Sequence, residues 1–180
     1  MPSHRNRGAC KRRTGNLVIL NGAGLQGIDH IGLTVPNLEE AIEFFEQVFG
    51  GVVMVRHPPY RPTADSNIYN FGRHPDTVVQ GIALIRIAGS VIELLAYESP
   101  DRREVIPRTS DAGGHHLAFY VDDLDSAIAG LREAGIEVLG EPLQFAGAEA
   151  GNRARFVYTR APWGLYIEFV SYPAGKAYQS

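Results

Sequence analysis

Cysteine is almost missing from this chain of 180 residues: Cys10 is the single example. An internal disulfide and a CxxC zinc site are therefore excluded, and a lone thiol in a basic head reads as inert. Long apolar runs are missing too. Nothing approaches the roughly 18 consecutive apolar residues of a membrane span. The net charge is only −3, which gives no general attraction to nucleic acid. What remains is an ordinary globular composition, with 44% hydrophobic and 21% charged residues. It fits one compact domain, or two small modules sharing a core, in a cytoplasmic protein.

Acid is absent from the start of the chain. Arg5, Arg7, Lys11, Arg12 and Arg13 precede the first carboxylate, Asp29, so the rest carries −8 against a +5 head. A twin-arginine export signal would need an apolar stretch after Arg12-Arg13, and only "LVIL" follows. "RGAC" lacks the apolar run that precedes a lipoprotein cleavage box. Residues 1–26 read as a flexible basic extension.

From Ile28 the pattern is strand, cap, helix, stop. Ile31, Leu33 and Val35 alternate with polar or small residues. Asn37 and Glu40 have capping-box spacing. Ala41, Ile42, Phe44, Phe45, Val48 and Phe49 form a helical apolar face, and Gly50-Gly51 ends it. The same order returns at "GGHHLAFYVDDLDSAI" (Gly113 to Ile128). Leu117, Phe119 and Val121 alternate, Asp123 caps, Ala127, Ile128 and Leu131 face inward, and Gly135 stops the helix. Superposing "HIGLTVPNLEEAI" on "HLAFYVDDLDSAI" matches His30 with His116, Val35 with Val121 and Ile42 with Ile128. Strand-like runs follow each helix: Val52 to His57, Val78 to Ile87 and Ser90 to Tyr97, then Ile136 to Gly140, Ala154 to Arg160 and Leu165 to Tyr172. The expected fold class is α+β, with two βαβββ modules at 27–98 and 114–173. A linker covers 99–113 and a tail 174–180. Residues 57–76 form a loop long enough to be functional or disordered.

Strand alternation sorts the polar candidates. In "SVIELLAY", Ile92, Leu94 and Ala96 share one face and Glu93 lies opposite with Tyr97. In "LYIEFVSY", Leu165, Ile167 and Phe169 share one face and Glu168 lies opposite. His30 falls on the non-apolar face of its strand, and so does His116. His115 falls with Leu117, or caps the strand start. The apolar faces should lie under the helices. His30, Glu93, His116 and Glu168 occupy the other faces. Each alone reads more readily as a satisfied core histidine or a solvated edge carboxylate, but all four fitting one register point to a metal-ligand set. Imidazole and carboxylate suit Ni, Co, Zn, Mn or Fe.

The motifs "IDHIGLTVPNLEEAI", "VIELLAY", "GGHHLAFYVDDLDSAI" and "APWGLYIEFVSYP" resemble the vicinal oxygen chelate superfamily, of the glyoxalase I and bleomycin-resistance type. The similarity runs from Gly27 to about Pro173. It implies a curved, mostly antiparallel eight-stranded sheet around one divalent metal ion, held by His30, Glu93, His116 and Glu168. Ala161 departs from the aspartate that many members carry at this turn. The resemblance also implies a small-molecule substrate with adjacent oxygens, chelated by the metal while a carboxylate moves a proton beside a carbonyl. Glu168, or Glu93, would be that catalytic group.

A glyoxalase I-like lyase and a ketose epimerase or isomerase both fit. "HPDTVVQGIALIR" (His74 to Arg86) and the long loop look more like the ketose (valiolone-type) epimerase branch. An Fe(II) extradiol-type dioxygenase using His30, His116 and Glu168 is the alternative, although it would leave Glu93 uncoordinated. A non-catalytic drug-binding protein is the other, but such members generally lack the ligands. Tyr97, Tyr120 and Tyr166 share faces with the ligands and are candidate substrate contacts, as is Arg155 for an anionic substrate. His57 and His74 read as exposed loop residues, and Trp163 as a turn residue over the sheet. No nucleic acid or membrane partner is expected. Related modules pair within a chain or across a homodimer, and both arrangements stay open.

Overall fold

The computed structural model describes residues 24–150 and 153–176. Cys10 and all but the last three residues of the basic head lie outside this range. Among the described residues, no helix is long and apolar enough to cross a membrane.

The first module runs β1 (Ile31–Val35), α1 (Leu38–Phe49), β2 (Val52–His57), β3 (Val78–Ile87) and β4 (Ser90–Glu98). The second runs β5 (His116–Tyr120), α2 (Leu124–Glu133), β6 (Glu137–Gln144), β7 (Arg155–Arg160) and β8 (Tyr166–Ser171). In β1, Leu33 and Val35 are buried and Gly32 and Thr34 exposed, as alternation requires. Asn37 Oδ1 accepts from the backbone N–H of Glu39 and of Glu40, starting α1. The reciprocal glutamate bond of a capping box does not form, so Asn37 caps alone. Gly50 ends α1 in the left-handed region at φ 61°, where a side chain would be strained. Asp123 caps α2 in the same way, accepting from Asp125 and Ser126.

Each module folds into its own four-stranded sheet, ordered β1-β4-β3-β2 and β5-β8-β7-β6. In both, the first and last strands pair in parallel and the other pairings are antiparallel. The expected α+β architecture of two βαβββ modules is present, its eight strands divided between two sheets. The eight strands are present, but no backbone ladder joins the modules. They meet instead through side chains: the apolar faces of both sheets and both helices share one core. Phe49 of α1 packs on Phe119 and Phe169, with ring centroids 4.3 and 5.7 Å away. Trp163, expected over its own sheet, packs edge-on against Phe44 of α1 at 5.2 Å.

Strand β6 runs past its expected end at Gly140. Gly140 adopts φ 73° and the ladder to β7 is irregular between Leu139 and Leu143, so the alternation breaks there although the strand continues. The loop between β2 and β3 is ordered. It contains a π-helical turn at Ser66–Asn70, and Asn67 is fully buried. Its Nδ2 donates to the carbonyls of Pro75 and Thr77, and its own carbonyl accepts from Arg73 N–H.

Candidate metal centre in two half-sites

Opposite the shared core, each sheet carries one histidine beside one glutamate. His30 lies just before β1, and the parallel register sets Gly32 of β1 against Glu93 of β4. His30 Nε2 is 3.4 Å from Glu93 Oε2. In the second module His116 opens β5, and Ala118 lies against Glu168 of β8. His116 Nε2 is 3.1 Å from Glu168 Oε2. The two pairs are built by the same strand register, as the repeat predicts. His115 instead lies exposed at the strand start, with Nδ1 3.2 Å from Gly113 O.

The orienting groups differ. His30 Nδ1 lies 2.8 Å from Asp29 Oδ2, and this bond is the main reason the imidazole pKa is raised. A carboxylate on the far nitrogen fixes the ring and leaves Nε2 facing Glu93. Glu168 is the buried member of its pair. Burial raises its pKa above the usual carboxylate range, while His116 pulls it down and Glu149 adds to the rise. Tyr158 pairs with Glu168 across β7 and β8, and its hydroxyl lies 3.3 Å from His116 Nε2.

A nitrogen and an oxygen each about 2.1 Å from one divalent ion, at a right angle, sit about 3 Å apart. Both pairs have nearly that spacing, with the nitrogen and oxygen of each pair turned toward each other. The donors fit a divalent metal two at a time. Among the described residues, no group of three or more His, Cys, Asp or Glu side chains is assembled around one point. A cleft of about 550 Å³ beside His116 and Glu168 is lined only by second-module residues, among them Gln144, Glu149 and Tyr158.

The candidate substrate residues divide. Tyr97 lies on the Glu93 face and accepts a hydrogen bond from Arg73. Tyr166 is the register partner of His116, with the Arg160 guanidinium 5.3 Å from its ring centroid. Tyr120 is exposed and packs beside Tyr172. Arg155 lies away from the ligand face: it shares the helix side of β7 with buried Val157 and Thr159, and its Nη2 lies 2.7 Å from Asp125 Oδ2 of α2. Three residues escaped the sequence reading. Tyr158 was within reach of it, because "RFVYTR" alternates as "YIEFVS" does and places Tyr158 opposite Glu168. Arg73 and Glu149 come from irregular segments, where no periodicity assigns a direction.

Residues 27–169 match the Glyoxalase/Bleomycin resistance protein/Dioxygenase superfamily model. The 2-epi-5-epi-valiolone epimerase of Actinomyces sp is 37% identical over 169 residues, covering 89% of this chain and 88% of its own. The mitochondrial methylmalonyl-CoA epimerase of Dictyostelium discoideum is 24% identical over 153 residues, covering 83% and 81%. Among solved structures, a glyoxalase family protein from Bacillus cereus superposes with a TM-score of 0.63 at 22% identity, over 82% of this chain and 94% of its own. The chain belongs to the Glyoxalase/Bleomycin resistance protein/Dioxygenase superfamily, and its kinship with two epimerases makes it an isomerase-type enzyme.

Proposed function

We propose that this superfamily member is a divalent-metal-dependent epimerase. It would invert a carbon beside the ketone of a polyhydroxylated substrate, as the valiolone-type relative's name suggests for that protein. The observation that carries this reading is the duplicated pair: His30 with Glu93 and His116 with Glu168, set by one register in each module. Four such donors suit Mn, Co, Ni, Zn or Fe. The equivalence of Glu93 to Glu168 favours this set over the three-ligand dioxygenase arrangement.

The complete set forms when a first-module pair faces a second-module pair. We place this junction between two copies of the chain, because among the described residues one copy brings no three of these donors together. A divalent ion held there supplies Lewis-acid stabilisation for negative charge on the substrate's carbonyl oxygen. The chain's own groups move the proton. Glu168, the more buried carboxylate, takes it from the carbon beside the carbonyl, and the C–H electron pair passes into an enolate. Glu93, arriving from the opposite module, returns a proton to the other face of that carbon. Inversion needs acid–base groups on both faces, which two facing modules provide. Tyr158 and Tyr166 would orient substrate oxygens beside His116.

Incubation with 2-epi-5-epi-valiolone in D2O, with Mn(II) or Co(II) present, tests the reading by NMR. Epimer formation with one deuteron at the inverted carbon is expected. Absence of both epimer and exchange, with each of these metals, would overturn it.

A further inference from the structure

The loop between β2 and β3 delivers a guanidinium to the His30–Glu93 face of the first sheet. Arg73 is half-buried, with its Cζ 4.4 Å from the Phe71 ring centroid and 4.3 Å from that of Tyr97. One nitrogen, Nη2, donates to the Tyr97 hydroxyl at 2.6 Å. The other N–H donors have no partner, and among the described residues Arg73 makes no ion pair. Its neighbours differ. Arg61 reaches the carbonyl of Asp76, and Arg102 donates to the carbonyl of Tyr97 and lies 3.9 Å from Glu104.

The unused donors face a cleft of about 300 Å³, whose wall includes Thr34, Thr77, Ser99 and Arg102. Asp101 also lines the cleft, and its carboxylate accepts from the Ser99 hydroxyl at 2.6 Å. The cleft sits in register with the metal pair. Thr34 follows His30 by four residues, and Tyr97 follows Glu93 by four, on strands that run in parallel. Four residues span about 13 Å at the ordinary strand rise. A bound molecule reaching from the His30–Glu93 pair along these strands arrives at Arg73.

The loop is built to hold that position. Asn67, fully buried, ties the π-helical turn to Pro75 and Thr77 and receives the Arg73 N–H, while Gly72 takes φ 62° to turn the chain. A guanidinium held against the Phe71 and Tyr97 rings loses little further freedom when it binds, and its planar donors match phosphate or carboxylate oxygens.

We infer that this cleft is an anion subsite, in which Arg73 pairs with a phosphate or carboxylate at the end of the substrate remote from the inverted carbon, so that the preferred substrate is an acidic derivative of the neutral ketone used above as the turnover probe. The inference rests on the epimerase reading only for the identity of the rest of the substrate. Its test needs no turnover, so the two can fail separately.

The full-length protein, labelled with 15N, is titrated with inorganic phosphate and separately with acetate, at constant ionic strength. The Arg73 Nε–H resonance is followed in the wild type, and the backbone amides of Gly72 and His74, which line the cleft, in every variant. A saturable shift with phosphate alone identifies a phosphate ester as the group, and one with acetate identifies a carboxylate. Arg73→Gln should weaken the binding about tenfold or more, and Arg61→Gln should leave it unchanged. If Arg73→Gln fails to fold, Arg73→Lys, which keeps the charge but loses the planar fork, should still weaken it. No saturable shift with either anion, or equal binding after Arg73 is replaced, would overturn the subsite.

Discussion

Phe49 stacks on Phe169 with centroids 5.7 Å apart and planes 8° from parallel. One ring closes α1 of the first module; the other lies on β8 of the second, next to Glu168. Because the rings belong to the shared core, the modules are joined on their helix sides, and each His–Glu pair lies on the opposite face of its own sheet. A large-to-small change at this joint removes contacts to Phe44, Phe45, Phe119 and Phe169 together. Phe49→Ala should destabilise the fold by about 3 kcal/mol in a urea titration. A change below about 0.5 kcal/mol would show that the modules do not depend on this contact.

The junction proposed between two copies of the chain predicts complementation. His30→Ala and His116→Ala should each be inactive. Mixed after dissociation and reassociation, they should recover about a quarter of wild-type activity, because half the dimers are mixed and each mixed dimer holds one intact site. No recovery, with subunit exchange demonstrated by mass spectrometry, would place the site within one chain.

Asn67 is a polar side chain in an apolar setting, with two carbonyls depending on its amide. Asn67→Ala strands both and should cost about 2 kcal/mol in thermal or chemical denaturation. Cleavage within 57–76 by a nonspecific protease should speed up, because the loop loses its central tie. Unchanged protease resistance would contradict this role.

Asp123 gives a pH signature away from the metal pairs. Hydrogen bonds from Ser126 side chain and backbone lower its pKa below the ordinary 3.8. A depressed folded-state pKa means the stabilisation is complete above the unfolded value and is lost as pH falls through the folded one. Asp123→Asn retains a capping oxygen without the titration. The variant should match wild type near pH 7 and lose less stability below about pH 4. Parallel acid melting curves would contradict the assignment.

Much of this was legible in the sequence. The first three strands of the first module fall where alternation puts them, and the His30/His116 match follows from the repeat alone. Both N-caps are marked by Asn37 and Asp123. The joining of the modules was not legible, since periodicity states which face is buried and not against what. An apolar face on Phe49 or Phe169 serves one sheet–helix core or two equally well. Arg155 shows the same limit: its strand was recognised, but the face it occupies follows only when Val157 and Thr159 are taken as the buried pair. Arg73 depends on a buried asparagine and a single glycine turn, features with no period to detect.

The central claim is that His30, Glu93, His116 and Glu168 hold one divalent ion per site, and metal analysis tests it most directly. Protein purified without chelator and loaded with Mn(II), Co(II), Ni(II) or Zn(II) should retain about one equivalent per chain after dialysis and melt at a higher temperature. His116→Ala and Glu168→Gln should each lose the metal and the thermal shift while keeping the wild-type circular dichroism spectrum. A wild-type protein that retains none of these metals and shows no shift with any of them would contradict the account.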